Sequence, residues 1–323
     1  MFASVFSAAI SGMEVHLIKV EADVSDGLPS FTMVGLPSLQ VKEAQDRVRT
    51  ALKNNGIALP PKRITVNLAP ADIRKEGAGF DLPLAAAVLA AAGVLAAEQL
   101  GNVMMAGEIG LNGEIHAVSG ILPMIIRARE EKCRFCVVPY DNLKEAHLIP
   151  DMKVIGVSNL QEMIRYVSVP DSYKKPVETG KKFSQENPAD FCEIHGQESL
   201  KRAVEIAVSG FHNLLMIGPP GAGKTMIARR IPGIMPELTV EEGLELTKIY
   251  SIAGLLSRGD PLIREDLFAV RIIHVSTGSG WWSPKSQTRG DHTGTQRCIC
   301  FWMRCQSFPE EAWRFSDSHW RTR

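Results

Sequence analysis

The run Gly218-Pro219-Pro220-Gly221-Ala222-Gly223-Lys224-Thr225 constrains this chain more than any other stretch. An apolar run, Leu214-Leu215-Met216-Ile217, comes just before it, and a helical pattern, Met226-Ile227-Ala228-Arg229-Arg230, just after. Strand, glycine-rich loop and helix in this order are the context of a phosphate-binding loop. Glycines let successive backbone N–H groups turn inward around a polyphosphate, and the helix N-terminus adds partial positive charge. At this spacing Lys224 reaches the β- and γ-phosphates, and the Thr225 hydroxyl is placed to ligate Mg²⁺. A Gly/Pro turn beside a solvated lysine explains neither the strand before nor the helix after. The expected ligand of residues 218–225 is a nucleoside triphosphate.

A length of 323 residues suggests about two domains, each large enough to bury its own core. With 36 basic and 36 acidic side chains the net charge is zero, so no global field argues for nucleic acid or membrane. The apolar stretch 82–97 is short, alanine-rich and interrupted by Pro83 and Gly93, which is too little to span a bilayer. Met1-Phe2-Ala3-Ser4 brings no basic n-region, so no signal peptide is expected. Six cysteines in a chain of this length suggest reduced thiols and a cytoplasmic location.

Residues 1–169 carry an α/β pattern. Phe31–Val34 reads as a strand. Ser38 is a plausible N-cap before a helix over 41–52, apolar at 41, 44, 48, 51 and 52 and closed by Asn55-Gly56. Arg63–Leu68 alternates as a strand, and 82–92 suits a buried, alanine-rich helix. Short strands are expected at 103–106, 113–117 and 137–138, and helices at 121–131 and 160–167. Three prolines, four lysines and scattered small polar residues make 170–189 a linker. Helical periodicity resumes at 197–208, so a second domain begins near Asp190.

From Glu265 onward the pattern breaks. Leu267 is the last leucine, and all five tryptophans, with Cys298, Cys300 and Cys305, lie in 265–323. Disordered tails are poor in Trp and Cys, so a stretch read in the wrong frame fits better.

The string from His212 through Lys224 to Arg230, followed by Ile231-Pro232-Gly233-Ile234-Met235-Pro236, resembles the magnesium-chelatase-like AAA+ ATPases. More narrowly, together with 5–10, 15–24 and 28–37, it resembles the YifB/ComM competence-related family. The resemblance covers residues 1 to about 264. It implies a Lon-protease-like N-terminal α+β domain, of the ribosomal-protein S5 domain-2 type, and then a partial P-loop AAA+ α/β domain at 190–264. It also implies ATP and Mg²⁺ as cofactors, held by Gly218, Pro219, Pro220, Gly221, Ala222, Gly223, Lys224 and Thr225, with Thr225 on the metal.

That family continues with Arg-Pro-Phe-Arg-Ser-Pro-His-His-Thr, Pro-Lys-Pro-Gly-Glu-Ile and the Walker B strand Leu-Phe-Leu-Asp-Glu, none of which stands in the tail. Shifting the reading frame recovers all three under permitted codon choices, from 265–273, 286–298 and 299–307. Trp302 has one codon, and its last base with the first two of Met303 forces aspartate. The expectation is therefore a frameshifted, disordered tail with at least two slips. Trp302 and Met303 stand where the family has its acidic pair, and sensors, arginine finger and lid belong further on. Hydrolysis is expected to be lost, since positioning is nearly all of phosphoryl-transfer catalysis.

Other constellations have plainer readings. By resemblance to Lon, its serine position is Gly79 and its lysine position Leu122; a Ser–Lys dyad needs both groups, so no protease activity is expected. Cys133-Arg134-Phe135-Cys136 is a lone pair without a second one for zinc, and Cys136 suits the start of a buried strand. His16, His116, His147, His195 and His212 stand isolated. Glu241, Glu242 and Glu245 suit a capped first turn after Thr239. Lys174, Lys175, Lys181 and Lys182 suit a solvated linker better than a phosphate-binding patch. Three functions stay open: an ATP-driven motor on DNA working as a homo-oligomeric ring, a chelatase-like ATPase that remodels a partner for metal insertion, and an inactive fragment.

Overall fold

Residues 1–25 build the centre of the main sheet. Strand β1 (Phe2–Ser11) turns at Gly12-Met13 into β2 (Glu14–Ser25), and the two pair antiparallel from Phe2 opposite Asp23 to Ser11 opposite Glu14. Ala3, Val5, Val20, Ala22 and Val24 are buried, while the alternate Ser4, Lys19, Glu21 and Asp23 are half-buried. That period of two is the mark of a sheet with one covered face. The computed structural model describes residues 1–173, 191–210, 212, 214–217, 223–235, 238–256, 262, 270–272 and 301–304.

Seven strands make the sheet, in the order β3-β4-β2-β1-β5-β8-β9. Besides the central hairpin these are β3 (Ser30–Val34), β4 (Arg63–Ala69), β5 (Val103–Met105), β8 (Phe135–Pro139) and β9 (Val154–Val157). β4 runs antiparallel to β2; the pairs β3–β4, β1–β5, β5–β8 and β8–β9 are parallel. A separate ribbon joins β6 (Glu108–Ile109) to β7 (Ile115–His116). Helix α1 (Leu39–Asn54) begins at Ser38, whose side chain accepts from Val41 N at 3.4 Å, and buries Val41, Ala44, Val48, Ala51 and Leu52, the face expected. Helix α2 (Asp81–Ala91) is buried at every residue and packs on α1, β1 and β2. Helices α3 (Ile121–Glu130), α4 (Leu143–Ala146) and α5 (Leu160–Ser168) complete this half.

The chain divides into two compact units, residues 1–181 with 247–262, and residues 182–246 with 263–323. In the second, α6 (Glu198–Ser209) precedes β10 (Leu214–Ile217), α7 (Lys224–Arg230) follows it, and α8 (Val240–Ala253) starts there. β10 pairs parallel with β12 (Phe301–Arg304), which pairs parallel with β11 (Val270–Ile272). Two short pieces of the stretch expected to be irregular are thus strands. The rest of that tail lies outside the described residues, as do residues 174–189 of the linker expected at 170–189, whose start, Pro170–Ser172, forms one short 3-10 turn. Both units are α/β, the class expected. Among the described residues no helix is long and apolar enough to cross a membrane.

Candidate functional site

One apolar cluster fixes the two ends of the glycine-rich loop. Met216 of β10 and Ile227 and Ala228 of α7 are buried together with Ile231, with Val204 and Val208 of α6, and with Phe191 and Ile194. Gly223 ends the loop in the left-handed region, φ 78° and ψ 3°, and its carbonyl accepts Ile227 N at 3.0 Å. A Cβ there would meet nothing within 4 Å, so the backbone conformation, rather than crowding, calls for glycine.

Helix α7 opens at Lys224, which is half-buried in its first turn. The first-turn amides of any helix lack intrahelical acceptors and carry its positive dipole end. The far end of α7 is tied down: Arg230 donates to Glu193 Oε2 from Nε at 3.1 Å and from Nη2 at 2.5 Å. A glycine in the left-handed region, an N-terminal turn and a lysine upon it form a donor set suited to polyphosphate. Gly218, Pro219, Pro220, Gly221, Ala222 and the side chain of Thr225 lie outside the described residues. In the register of the small sheet, Trp302 stands opposite Leu215 and Met303 opposite Met216.

The remaining candidates have structural roles. Gly79 accepts Gly107 N at 3.0 Å through its carbonyl, and Leu122 is fully buried with its N–H donating to Glu145 at 2.9 Å. Cys133 and Cys136 are both buried, Cys136 in β8, and burial pushes both thiols up. His16 sits 3.7 Å from Glu14. Thr239 N donates to Glu242 at 2.9 Å and Glu242 N to Thr239 Oγ1 at 3.4 Å, a reciprocal cap of α8. Among the described residues no group of three or more His, Cys, Asp or Glu could hold a metal ion.

The sequence reading missed two polar clusters. Arg47 donates twice to Asp81, at 2.8 Å from Nε and from Nη2, and Ile109 N donates to the same carboxylate at 3.2 Å. Asn142, Glu145 and Ser251 form the other, and Glu145 and Ser251 are 106 positions apart. Nothing local marks either set.

Both parts of the chain match magnesium-chelatase ChlI families. The family described as subunit ChlI of Mg-chelatase matches residues 20–142, and that described as magnesium chelatase, subunit ChlI, matches residues 190–280. The second match passes the boundary near 264 drawn from motifs. More narrowly, the chain belongs to the magnesium-chelatase-like ComM/YifB family. It is 42% identical to competence protein ComM of Haemophilus influenzae over 254 residues, 77% of this chain and 50% of ComM. An uncharacterised Mycobacterium tuberculosis protein is 40% identical over 296 residues, 90% of this chain and 58% of that protein. Lon protease 2 of Bacillus subtilis is 28% identical over 138 residues, 42% of this chain and 24% of Lon, in keeping with a Lon-like domain. The chain thus spans about half the length of its ComM-type relatives.

Proposed function

We propose that this chain binds ATP with Mg²⁺ through Gly218–Thr225. The observation that carries this is the seating of Gly223 and Lys224 at the start of α7, on the same core as β10. The amides of the loop orient the β- and γ-phosphates, Lys224 offsets their charge, and Thr225 holds the metal from one side. Bound ATP supplies a phosphoanhydride to cleave. In this reading residues 1–169 are the Lon-like domain, 170–189 the linker, 190–264 the start of the ATPase domain and 265–323 a frameshifted segment.

The same reading makes the polypeptide a poor hydrolase. Trp302 and Met303 take the place of the acidic pair that clamps the metal and aligns water, and β11 and β12 contain no carboxylate. Losing such positioning costs on the order of a thousandfold in rate. The frame-corrected protein is a cytoplasmic ring ATPase, and the name competence protein ComM supports a motor on DNA. The ChlI description of both matched families supports the second reading, a chelatase-like ATPase that remodels a protein partner. An inactive product is the third.

Calorimetric titration of the full chain with ATP tests the site. Weak binding that disappears in Lys224→Ala is expected; equal heats from both chains would refute it. Sequencing the DNA that encodes 260–323 tests the slips. A single open frame reading Arg-Pro-Phe-Arg-Ser-Pro-His-His-Thr would restore the ATPase, and phosphate release by that product, stimulated by DNA, would favour the motor over the chelatase reading.

A further inference from the structure

Strand β3 forms one edge of the seven-stranded sheet and is open on its far side. It pairs only with β4, and among the described residues its outer backbone groups meet no hydrogen-bonding partner. The opposite edge, β9, is buried at all four residues. Ser30, Thr32 and Val34 are exposed, while Phe31 and Met33 pack on the main core and are half-buried. Natural edges are commonly guarded by charge, proline or a bulge. β3 has none of these: it reads Ser-Phe-Thr-Met-Val in unbroken register with β4, and no charged residue stands between 27 and 41.

The flanks of β3 are symmetric about its middle residue. Leu28, 89% exposed, stands four residues before Thr32, and Leu36, 59% exposed, stands four residues after it. Two copies of β3 paired antiparallel about Thr32 therefore bring Leu28 of each copy to Leu36 of the other. The same register sets Phe31 of each against Met33 of the other, a sulfur–aromatic contact. Thr32 meets its own counterpart, a favourable cross-strand pair. With no charge on either strand, nothing along it repels a second copy. We propose that β3 is a self-association edge, through which two copies of this chain pair about a two-fold axis and join their sheets into one. The pairing uses no residue of the glycine-rich loop, so it does not depend on nucleotide binding. A five-residue strand with a leucine contact at each end is a small interface, and the association is weak and concentration-dependent.

Sedimentation velocity of the full chain without nucleotide, over a concentration series, tests this. A reversible monomer–dimer equilibrium is expected. Thr32→Lys and Thr32→Glu change an exposed side chain, and each alone sets like charges face to face on the two-fold axis. Each should weaken dimerisation about fivefold or more. Mixing the two variants pairs lysine with glutamate and should restore dimerisation to at least the level of the unsubstituted chain. Because the mixture contains only substituted chains, its recovery separates lost pairing from misfolding. A chain that stays monomeric at every concentration up to about 1 mM would overturn the proposal. So would dimers that Thr32→Lys leaves intact, or a mixture that associates no more tightly than either variant alone.

Discussion

Asp81 opens α2 with its carboxylate fully buried, and three donors meet it there, two from Arg47 and one from Ile109. Burial pushes its carboxyl up, and the Arg47 guanidinium and the Ile109 N–H pull it back. Removing one member of such a pair strands the other. Asp81→Asn should therefore lower unfolding stability by about 3 kcal/mol, read as a fall in denaturation midpoint with unchanged slope. Glu21 behaves differently: Asn67 donates to it at 2.9 Å, Lys19 lies 3.0 Å away, and these hold its carboxyl below the usual range. The folded state thus binds this proton more weakly than the unfolded one. Its contribution is complete above the unfolded value of about 4.3 and is lost as pH falls through the folded value. Glu21→Gln should lower the melting temperature at pH 7 and flatten its decline below about pH 4.5; an unchanged acid slope would contradict this. The place of Gly223 and Lys224 at the start of α7 was legible from spacing alone. The capture of Arg230 by Glu193 was not, because those residues meet only after the chain has folded back.

Helix α2 shows what packing demands of an element. Ala85, Ala86 and Ala87 are fully buried between α1 and the strands β1 and β2, so the small side chains set how closely the helix approaches. Ala86→Leu should cost about 1–3 kcal/mol through overpacking, measured by chemical denaturation; a neutral result would mean that the layer can give way. α1, α3, α5, α6, β3 and β4 were visible in the sequence because their periods are local, and α2 because an alanine-rich apolar run of that length suits a buried helix. β1 was not. Ser4, Ser7, Ala8 and Ala9 have weak strand preference, and β1 is extended because β2 and β5 pair with it on either side. β9 escaped for a related reason: Val154–Val157 is buried throughout and shows no alternation. Turn chemistry did the opposite for α8, where Thr239 and Glu242 announce the cap three residues apart.

At the scale of the molecule, the seven-stranded sheet and helices α1, α2, α3 and α5 lie within residues 1–173. A protein of residues 1–173 should give one cooperative thermal transition, and a featureless melt would show that 247–262 is needed for folding rather than added to a finished unit. Its Gly120 amide should exchange faster than in the full chain, since the Ser251 carbonyl is missing. Two strand segments of the tail, 270–272 and 301–304, join β10 in one sheet, although neither shows a strand period in the sequence. The sequence by itself determined the strand–glycine loop–lysine order, the caps of α1 and α8 and the α/β class, because backbone sign, hydrogen-bond spacing and side-chain period act over a few residues. Only the tertiary structure decided that Glu145 would receive Ser251, that Asp81 would receive Arg47, and that a serine- and alanine-rich opening would become the central strand. Those outcomes depend on which distant segments exclude water from one another, and no short window of sequence contains that information.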